Sequence, residues 1–241
     1  ELLSTKMILA GGFNTTNNPV IELKMKKAAE AGAKVVLVNP EDYVQHIDFL
    51  NKAVYTKNDL SFLKEVAKAV VDSGRGAGVD GYEEFAASVK DVTVSDDAKA
   101  VADMYLEAKK AMSVFNQNLI TTGAASLLAD IALVSGHIGT PRDGILQVKA
   151  KNNSQGLVDL GITAGAEELE GVKALVVFGE EADIDTDALE FLAVSDTHMT
   201  ALAAKADVVI PGTGFASTDG TYTNTERRLQ LVQAAIEEDV E

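Results

Sequence analysis

Lys6-Met-Ile-Leu-Ala10 runs into Gly11-Gly12, and Lys34-Val-Val-Leu-Val38 runs into Asn39-Pro40. Each is a short apolar run stopped by a turn signal, the pattern of a strand buried on both faces. Between them, Asn18-Pro19 reads as an N-cap with proline in the first helical turn. The helix it opens extends to about Ala31, with Gly32 as its C′ residue. Strand, helix and strand joined by so short a crossover predict two parallel strands in a right-handed unit.

Working outward, a second helix spans about Leu60 to Asp72, with Leu63, Ala67 and Val70 on one face. Gly74 to Gly78 is loop, a small helix covers Glu83–Ser88, and a junction falls near Asp91–Ser95. Ser95 caps a helix whose first turn holds Asp96 and Asp97, which suits the helix dipole. Met112–Phe115 is a short strand, and Ala124–Val134 is apolar nearly all round, hence a buried helix. Gly136 to Gly165 is rich in Gly and Asn and too long for a plain connector. Ala174–Phe178, Phe191–Val194 and Asp207–Pro211 read as strands, with Thr197 capping a helix to about Lys205. The predicted fold class is α/β: two Rossmann-like units with mainly parallel sheets flanked by helices, over residues 1–93 and 94–241.

Hydrophobic residues make up 46% of the 241, while aromatics are 5% and tryptophan is absent. The core must therefore be aliphatic, which suits helices stacked on a parallel sheet. With no cysteine, the chain supplies no disulfide, thiolate metal site, cysteine-ligated cluster or cysteine nucleophile. The net charge of -16 argues against a nucleic-acid partner or an anionic membrane surface. It is uneven: residues 1–94 hold 11 basic and 13 acidic side chains, and most of the excess lies beyond them. That excess reads as a solvated acidic surface or a docking face for another subunit. No apolar run reaches the roughly 20 residues of a membrane helix, and no signal peptide is visible. A cytoplasmic location is expected, peripheral to the membrane if the chain works within a complex. The start, without Met and almost directly on a strand, reads as an excised piece of a longer polypeptide.

Parallel sheets bind ligands at the carboxyl ends of their strands. Those ends are Gly11–Asn14, Asn39–Glu41, Gly179–Glu181, Ser195–Asp196 and Pro211–Gly214. Glycine admits a phosphate close to the backbone, and Asp196 offers an acceptor for a ribose or a guanine edge. The alternative is that these are ordinary turns. No P-loop is present, and Gly212-Thr-Gly214 lacks the third glycine of a dinucleotide fingerprint. Asp196 and His198 give two ligands without a third, so no metal site is predicted, and nothing marks a nucleophile elbow near Ser195. Asp219-Gly-Thr-Tyr-Thr-Asn-Thr-Glu-Arg-Arg228 reads as an ordered, hydrogen-bonded loop around a ligand or another domain.

With Lys205-Ala-Asp-Val-Val-Ile-Pro211, that run closely resembles a signature of the molybdopterin oxidoreductases. Ala132-Leu-Val-Ser-Gly-His-Ile-Gly-Thr-Pro141 and Asn152-Asn-Ser-Gln-Gly-Leu-Val-Asp-Leu-Gly161 resemble further segments, in the same order. The front half aligns through Gly12-Phe-Asn14, Asn39-Pro40 and Asn58-Asp59-Leu60. The resemblance implies a bis-molybdopterin guanine dinucleotide held in the parent protein between two α/β domains. Gly12, Asn14, Asn39 and Asp59 would lie near one guanosine. Gly179, Asp196 and the Thr221–Asn224 loop would face the other half. It also implies that the cluster domain, the metal-ligating residue and the closing barrel belong to other parts of the parent. No catalytic or metal-ligating residue is therefore expected in this chain.

Two departures stand out. Asn39-Pro40-Glu41 replaces the family's usual Asp-Pro-Arg, and Gly179-Glu-Glu-Ala182 replaces Gly-x-Asn-Pro. Carboxylates near pyrophosphates are unfavourable, so these changes favour the branch of the large iron–sulfur subunit of NADH:quinone oxidoreductase, complex I. That branch keeps the fold as a scaffold for electron transfer. The alternatives are part of an active molybdenum or tungsten formate dehydrogenase, or a stand-alone small-ligand-binding α/β module. The expected partners are the remaining domains of the parent chain and other redox-complex subunits.

Overall fold

In the computed structural model, Met7–Gly11 (β1) and Lys34–Pro40 (β2) are parallel neighbours, with Met7 opposite Lys34 and Gly11 opposite Val38. Described are residues 1–116, 118–149, 151–162, 169–181 and 183–237. Pro19–Glu30 (α1) makes the crossover, and Gly32 beyond it has φ +89°. Asn18 holds the N-cap position, but its Oδ1 accepts from Asn116 Nδ2 at 2.9 Å instead of capping.

The first sheet has five parallel strands in the order β3-β2-β1-β4-β5, adding Lys52–Thr56 (β3), Ala111–Asn116 (β4) and Gly144–Val148 (β5). Strands β3 and β5 were not foreseen from the sequence. The order reverses between β1 and β4, which creates a crevice at their carboxyl ends. Every residue of β1 is buried, and the two faces alternate. Met7 and Leu9 meet one core, with Asp59–Asp72 (α2), Asp96–Glu107 (α4) and Thr122–Val134 (α5). Ile8 and Ala10 meet the other, with Met25 and Ala28 of α1. Burying each large aliphatic side chain is worth about 1.5–3 kcal/mol, so both layers anchor the sheet.

No helix links β2 to β3. Residues 41–51 cross as a loop, and Ile47, Phe49 and Leu50 pack on the α1 face where a helix would otherwise sit. Tyr82–Val89 (α3) follows α2, and Ser95 caps α4 through Ala98 N–H at 3.3 Å, as expected.

The junction expected near residue 93 is displaced. Strand β4 lies beyond it and pairs with β1, so the first compact unit is Glu1–Ala150 and the second Lys151–Glu241. Pairing in the sheet, which is long-range, outweighs the local loop signal at 91–95.

The second unit holds a three-stranded parallel sheet, ordered Ala174–Phe178 (β6), Phe191–Asp196 (β7) and Val208–Pro211 (β8). Val177, Leu192 and Val194 form a small core with Leu202, Ala203, Ile184 and Leu189. The helix expected from Thr197 to Lys205 reduces to one 3₁₀ turn, Ala203–Lys205, and it is Thr200 Oγ1, not Thr197, that accepts from its first N–H, Ala203, at 3.1 Å. The polar run is not a loop alone: Gly220–Thr223 (β9) and Leu229–Val232 (β10) pair as an antiparallel hairpin. Ser154–Asp159 (α6) precedes them within the long Gly- and Asn-rich stretch, whose residues 163–165 lie outside those described. Among the described residues, no helix is long and apolar enough to cross a membrane.

Candidate functional site

The first sheet gathers Gly12, Asn14, Asn39 and Asp59 along its carboxyl edge. Gly12 follows β1 with φ +58°, and a Cβ there would lie 2.6 Å from the carbonyl carbon of Leu119. Only glycine allows the loop after β4 to close this tightly on the β1 turn.

Asn39 is fully buried at the end of β2. Its Oδ1 accepts from Phe13 N–H at 2.8 Å, and its Nδ2 donates to Phe13 O at 2.9 Å and to Tyr43 O at 3.4 Å. Gln45 repeats the device from the 41–51 loop: Oε1 accepts from Thr15 N–H at 2.9 Å and Nε2 donates to Phe13 O at 2.6 Å. Asn14 donates through Nδ2 to the Tyr43 hydroxyl, while its Oδ1 accepts from Thr16 N–H at 2.8 Å. The β1 turn is therefore satisfied by side chains of its own chain. Asn39 and Asn14 shape the turn; Gln45 and Tyr43 lock it, and neither was singled out from the sequence. Their signal is faint, because a lone Gln or Tyr in a loop is ordinary.

Asp59 opens α2. Its carboxylate accepts from Thr121 N–H at 2.9 Å, Thr121 Oγ1 at 3.0 Å and Leu60 N–H at 2.7 Å, and so ties the starts of α2 and α5 together. Beside it lies a cavity of about 440 Å³, lined by Asp42, Tyr43, Lys57, Asp59, Asn118 and Thr121 among others. Two helix N-termini and an ammonium favour an anion there. The carboxylates of Asp42 and Asp59 favour hydroxyl or N–H donors. A nucleotide offers both.

The remaining predicted residues lie in the second unit. Gly179, with φ +58°, donates its N–H to Ser195 O at 2.8 Å. Asp196 Oδ1 turns on its own backbone, accepting from Thr197 N–H at 2.7 Å and His198 N–H at 3.3 Å. Thr221 stands on β9, and Asn224 Oδ1 closes the hairpin by accepting from Glu226 N–H and Arg228 N–H. Ala182 of the divergent Gly179–Ala182 run lies outside the described residues. Asn153 Oδ1 accepts from Thr223 N–H at 2.9 Å, and Arg227 Nε meets Asp159 Oδ1 at 3.4 Å. The Asn-Ser-Gln-Gly and Thr-Asn-Thr-Glu-Arg-Arg runs, 70 residues apart, therefore form one structure. Among the described residues no three His, Asp or Glu side chains are grouped to share a metal ion.

At the opposite end of the first sheet, His137 and Asp143 are buried together. Asp143 accepts from Lys110 Nζ at 2.7 Å, Thr140 Oγ1 at 2.6 Å and Ala111 N–H at 2.9 Å, and contacts His137 Nδ1 at 3.2 Å. Burial pushes the carboxyl up, but these partners outweigh it and leave it at about 2. Burial likewise raises Tyr105, to about 12, despite its bond to Ser113. This cluster staples β4 to β5 and is structural.

The chain can now be set beside known proteins. It is 26% identical to the F420-dependent formate dehydrogenase subunit alpha of Methanocaldococcus jannaschii, over 95% of this chain and 44% of that protein. It is 22% identical to formate dehydrogenase H of Escherichia coli, over 98% of this chain and 43% of that protein. The chain thus spans less than half the length of these relatives. The fold matches acetylene hydratase from Pelobacter acetylenicus with TM-score 0.74 and 12% identity, over 98% of this chain and 45% of that one. These relatives do not support the complex I branch over the formate dehydrogenase reading. The molybdopterin oxidoreductase profile matches residues 1–241, and the chain belongs to that family.

Proposed function

We propose that this chain is the guanylate-holding part of a molybdopterin oxidoreductase of formate dehydrogenase type. The observation that carries this is the cavity at the carboxyl edge of the first sheet, with two helix starts, Lys57, Asp42 and Asp59 around it. The charges fit the nucleotide end of the cofactor: Lys57 and the positive ends of the two helix dipoles for phosphate, Asp59 and Asp42 for ribose hydroxyls or a guanine edge. Glu41 pairs with Lys57 at 3.5 Å and would compete for that ammonium. When bound, the molybdopterin group supplies the two-electron redox chemistry. The chain's own residues bind and orient. Asn39, Gln45 and Tyr43 hold the β1 turn rigid, and Asp59 sets the angle between α2 and α5. The parent protein's further domains and subunits are the proposed partners, as the F420-dependent relative is a subunit alpha.

The test is metal and pterin analysis of the full-length protein, made in cells able to supply the cofactor. Molybdenum or tungsten is read by mass spectrometry and oxidised pterin by fluorescence. Near-stoichiometric metal and pterin are expected. Absence of both from a folded protein would sink this reading and leave an electron-transfer scaffold.

A further inference from the structure

His137 closes one helix and faces the end of another. Ser135 is the C-cap of α5, Gly136 follows with φ +78°, and the N–H groups of Gly136 and His137 bond back to Leu133 O and Ala132 O. That closing motif sets the imidazole at the carboxyl end of α5. Its Nε2 lies 3.1 Å from Tyr105 O, in the last turn of α4, and its Nδ1 lies 3.2 Å from Asp143 Oδ1. The contact is dry: the side chains of His137 and Asp143 are 5% and 3% exposed. Both ring nitrogens therefore meet oxygens that only accept, since the Asp143 carboxyl, at about 2, is ionised at neutral pH. A neutral imidazole has one N–H, so either neutral tautomer turns a ring lone pair onto a buried oxygen. The imidazolium, with two N–H groups, donates to both.

The surrounding charges agree. The carboxyl ends of α4 and α5 each present about half a negative charge, so with Asp143 the cluster carries about two. Lys110, on the other carboxylate oxygen at 2.7 Å, offsets one of them, and an imidazolium offsets the second. The Tyr105 hydroxyl bonds to Ser113 and, raised to about 12, stays neutral. Arg75, Glu107 and Lys109 line the adjoining cavity. Arg75 is turned onto Leu106 O and Glu107 onto Lys34.

We infer that His137 is built into the fold as an imidazolium and works as a proton-dependent clasp: with its proton it ties the connection of residues 136–143 to α4, and without it one of the two bonds is lost. The clasp stands whatever the cofactor site holds. A group whose charged form is favoured by folding contributes fully at mildly acid pH, and that contribution falls as the pH rises and the proton leaves. Full-length protein carrying nitrogen-15 histidine is read by magic-angle-spinning NMR at about pH 7.5, where a free imidazole is mostly neutral. The His137 signals, assigned by their loss in His137→Gln, are expected to show a proton on both nitrogens. One protonated and one bare nitrogen would overturn the inference. Backbone hydrogen exchange over residues 136–143, corrected for the intrinsic pH dependence of exchange, reads the clasp itself. Protection is expected to fall severalfold between about pH 6 and about pH 9 in the protein and to stay level in His137→Gln. Level protection in the protein, or an equal fall in both, would overturn the inference. His137→Asn replaces His137→Gln if the latter does not fold, with circular dichroism as the folding control.

Discussion

The side-chain amide of Asn39 pairs with both main-chain polar groups of Phe13, 26 residues earlier, at 2.8 and 2.9 Å. One buried side chain thus does for the β1 turn what a neighbouring strand does within the sheet.

Removing that amide strands the buried Phe13 N–H, while Phe13 O keeps its bond from Gln45 Nε2. Asn39→Leu is expected to cost about 2–4 kcal/mol, as lost hydrogen bonds plus desolvation. Asn39→Asp restores the carboxylate usual in the family and keeps the acceptor for Phe13 N–H, but sets the other oxygen against Phe13 O. It should be destabilised less than Asn39→Leu at low pH and more nearly equally at pH 7. Urea titrations at the two pH values decide it, and equal stability of all three proteins would refute the pairing.

Gly12→Ala places a methyl 2.6 Å from Leu119 carbonyl carbon at φ +58°. Gly32→Ala provides the control, at φ +89° with open space around it. Both carry the left-handed strain of about 1–2 kcal/mol, and the clash adds a further ~1–3 kcal/mol at Gly12 alone. A larger fall in melting temperature for Gly12→Ala is expected; equal falls would mean that the loop after β4 does not press on this turn.

Asp143 gives an acid-side prediction. Its carboxyl is held at about 2, below the ordinary 3.8. A depressed carboxylate stabilises the fold above its unfolded value and loses that contribution as pH falls through the folded one. The stability gap between the protein and Asp143→Asn should therefore be full above about pH 4, on the order of 2 kcal/mol, and close between pH 4 and pH 2. A gap unchanged across that window would show that the carboxylate's charge does not contribute.

Asn153 couples α6 to the hairpin through Thr223, from a left-handed φ of 56°. Asn153→Gly keeps that conformation and deletes the acceptor. Faster hydrogen exchange at the Thr223 amide is expected, along with faster trypsin cleavage after Arg227 and Arg228. No change in either would mean that the hairpin stands without the contact.

Local pattern was enough to place β1, α1, β2, α2, the Ser95 cap, α5 and the three strands of the second unit. Their signals lie within a few residues: apolar runs, caps, a proline at a helix start. Lys52-Ala-Val-Tyr-Thr56 and Gly144-Ile-Leu-Gln-Val148 carry no such mark, because each is short and half polar and becomes a strand by pairing with β2 or β4. The same holds at 93, where a loop signal in the chain is overridden once β4 joins β1.

Among the site residues, sequence by itself determined that Gly12, Asn14 and Asn39 stand at strand ends, since strand order along the chain sets those positions; Asp59 came from the family resemblance, and the strand before it, β3, was decided by pairing with β2. It also determined that the back half is acidic and carries the family's signature runs. Tertiary structure alone decided that Gln45 and Tyr43 bolt the β1 turn, that Asp59 joins two helix starts, and that Asn153 meets Thr223. These bonds span from 29 to 70 residues of chain, and hydrogen bonds over such distances depend on folded backbone geometry, of which a linear pattern bears no trace.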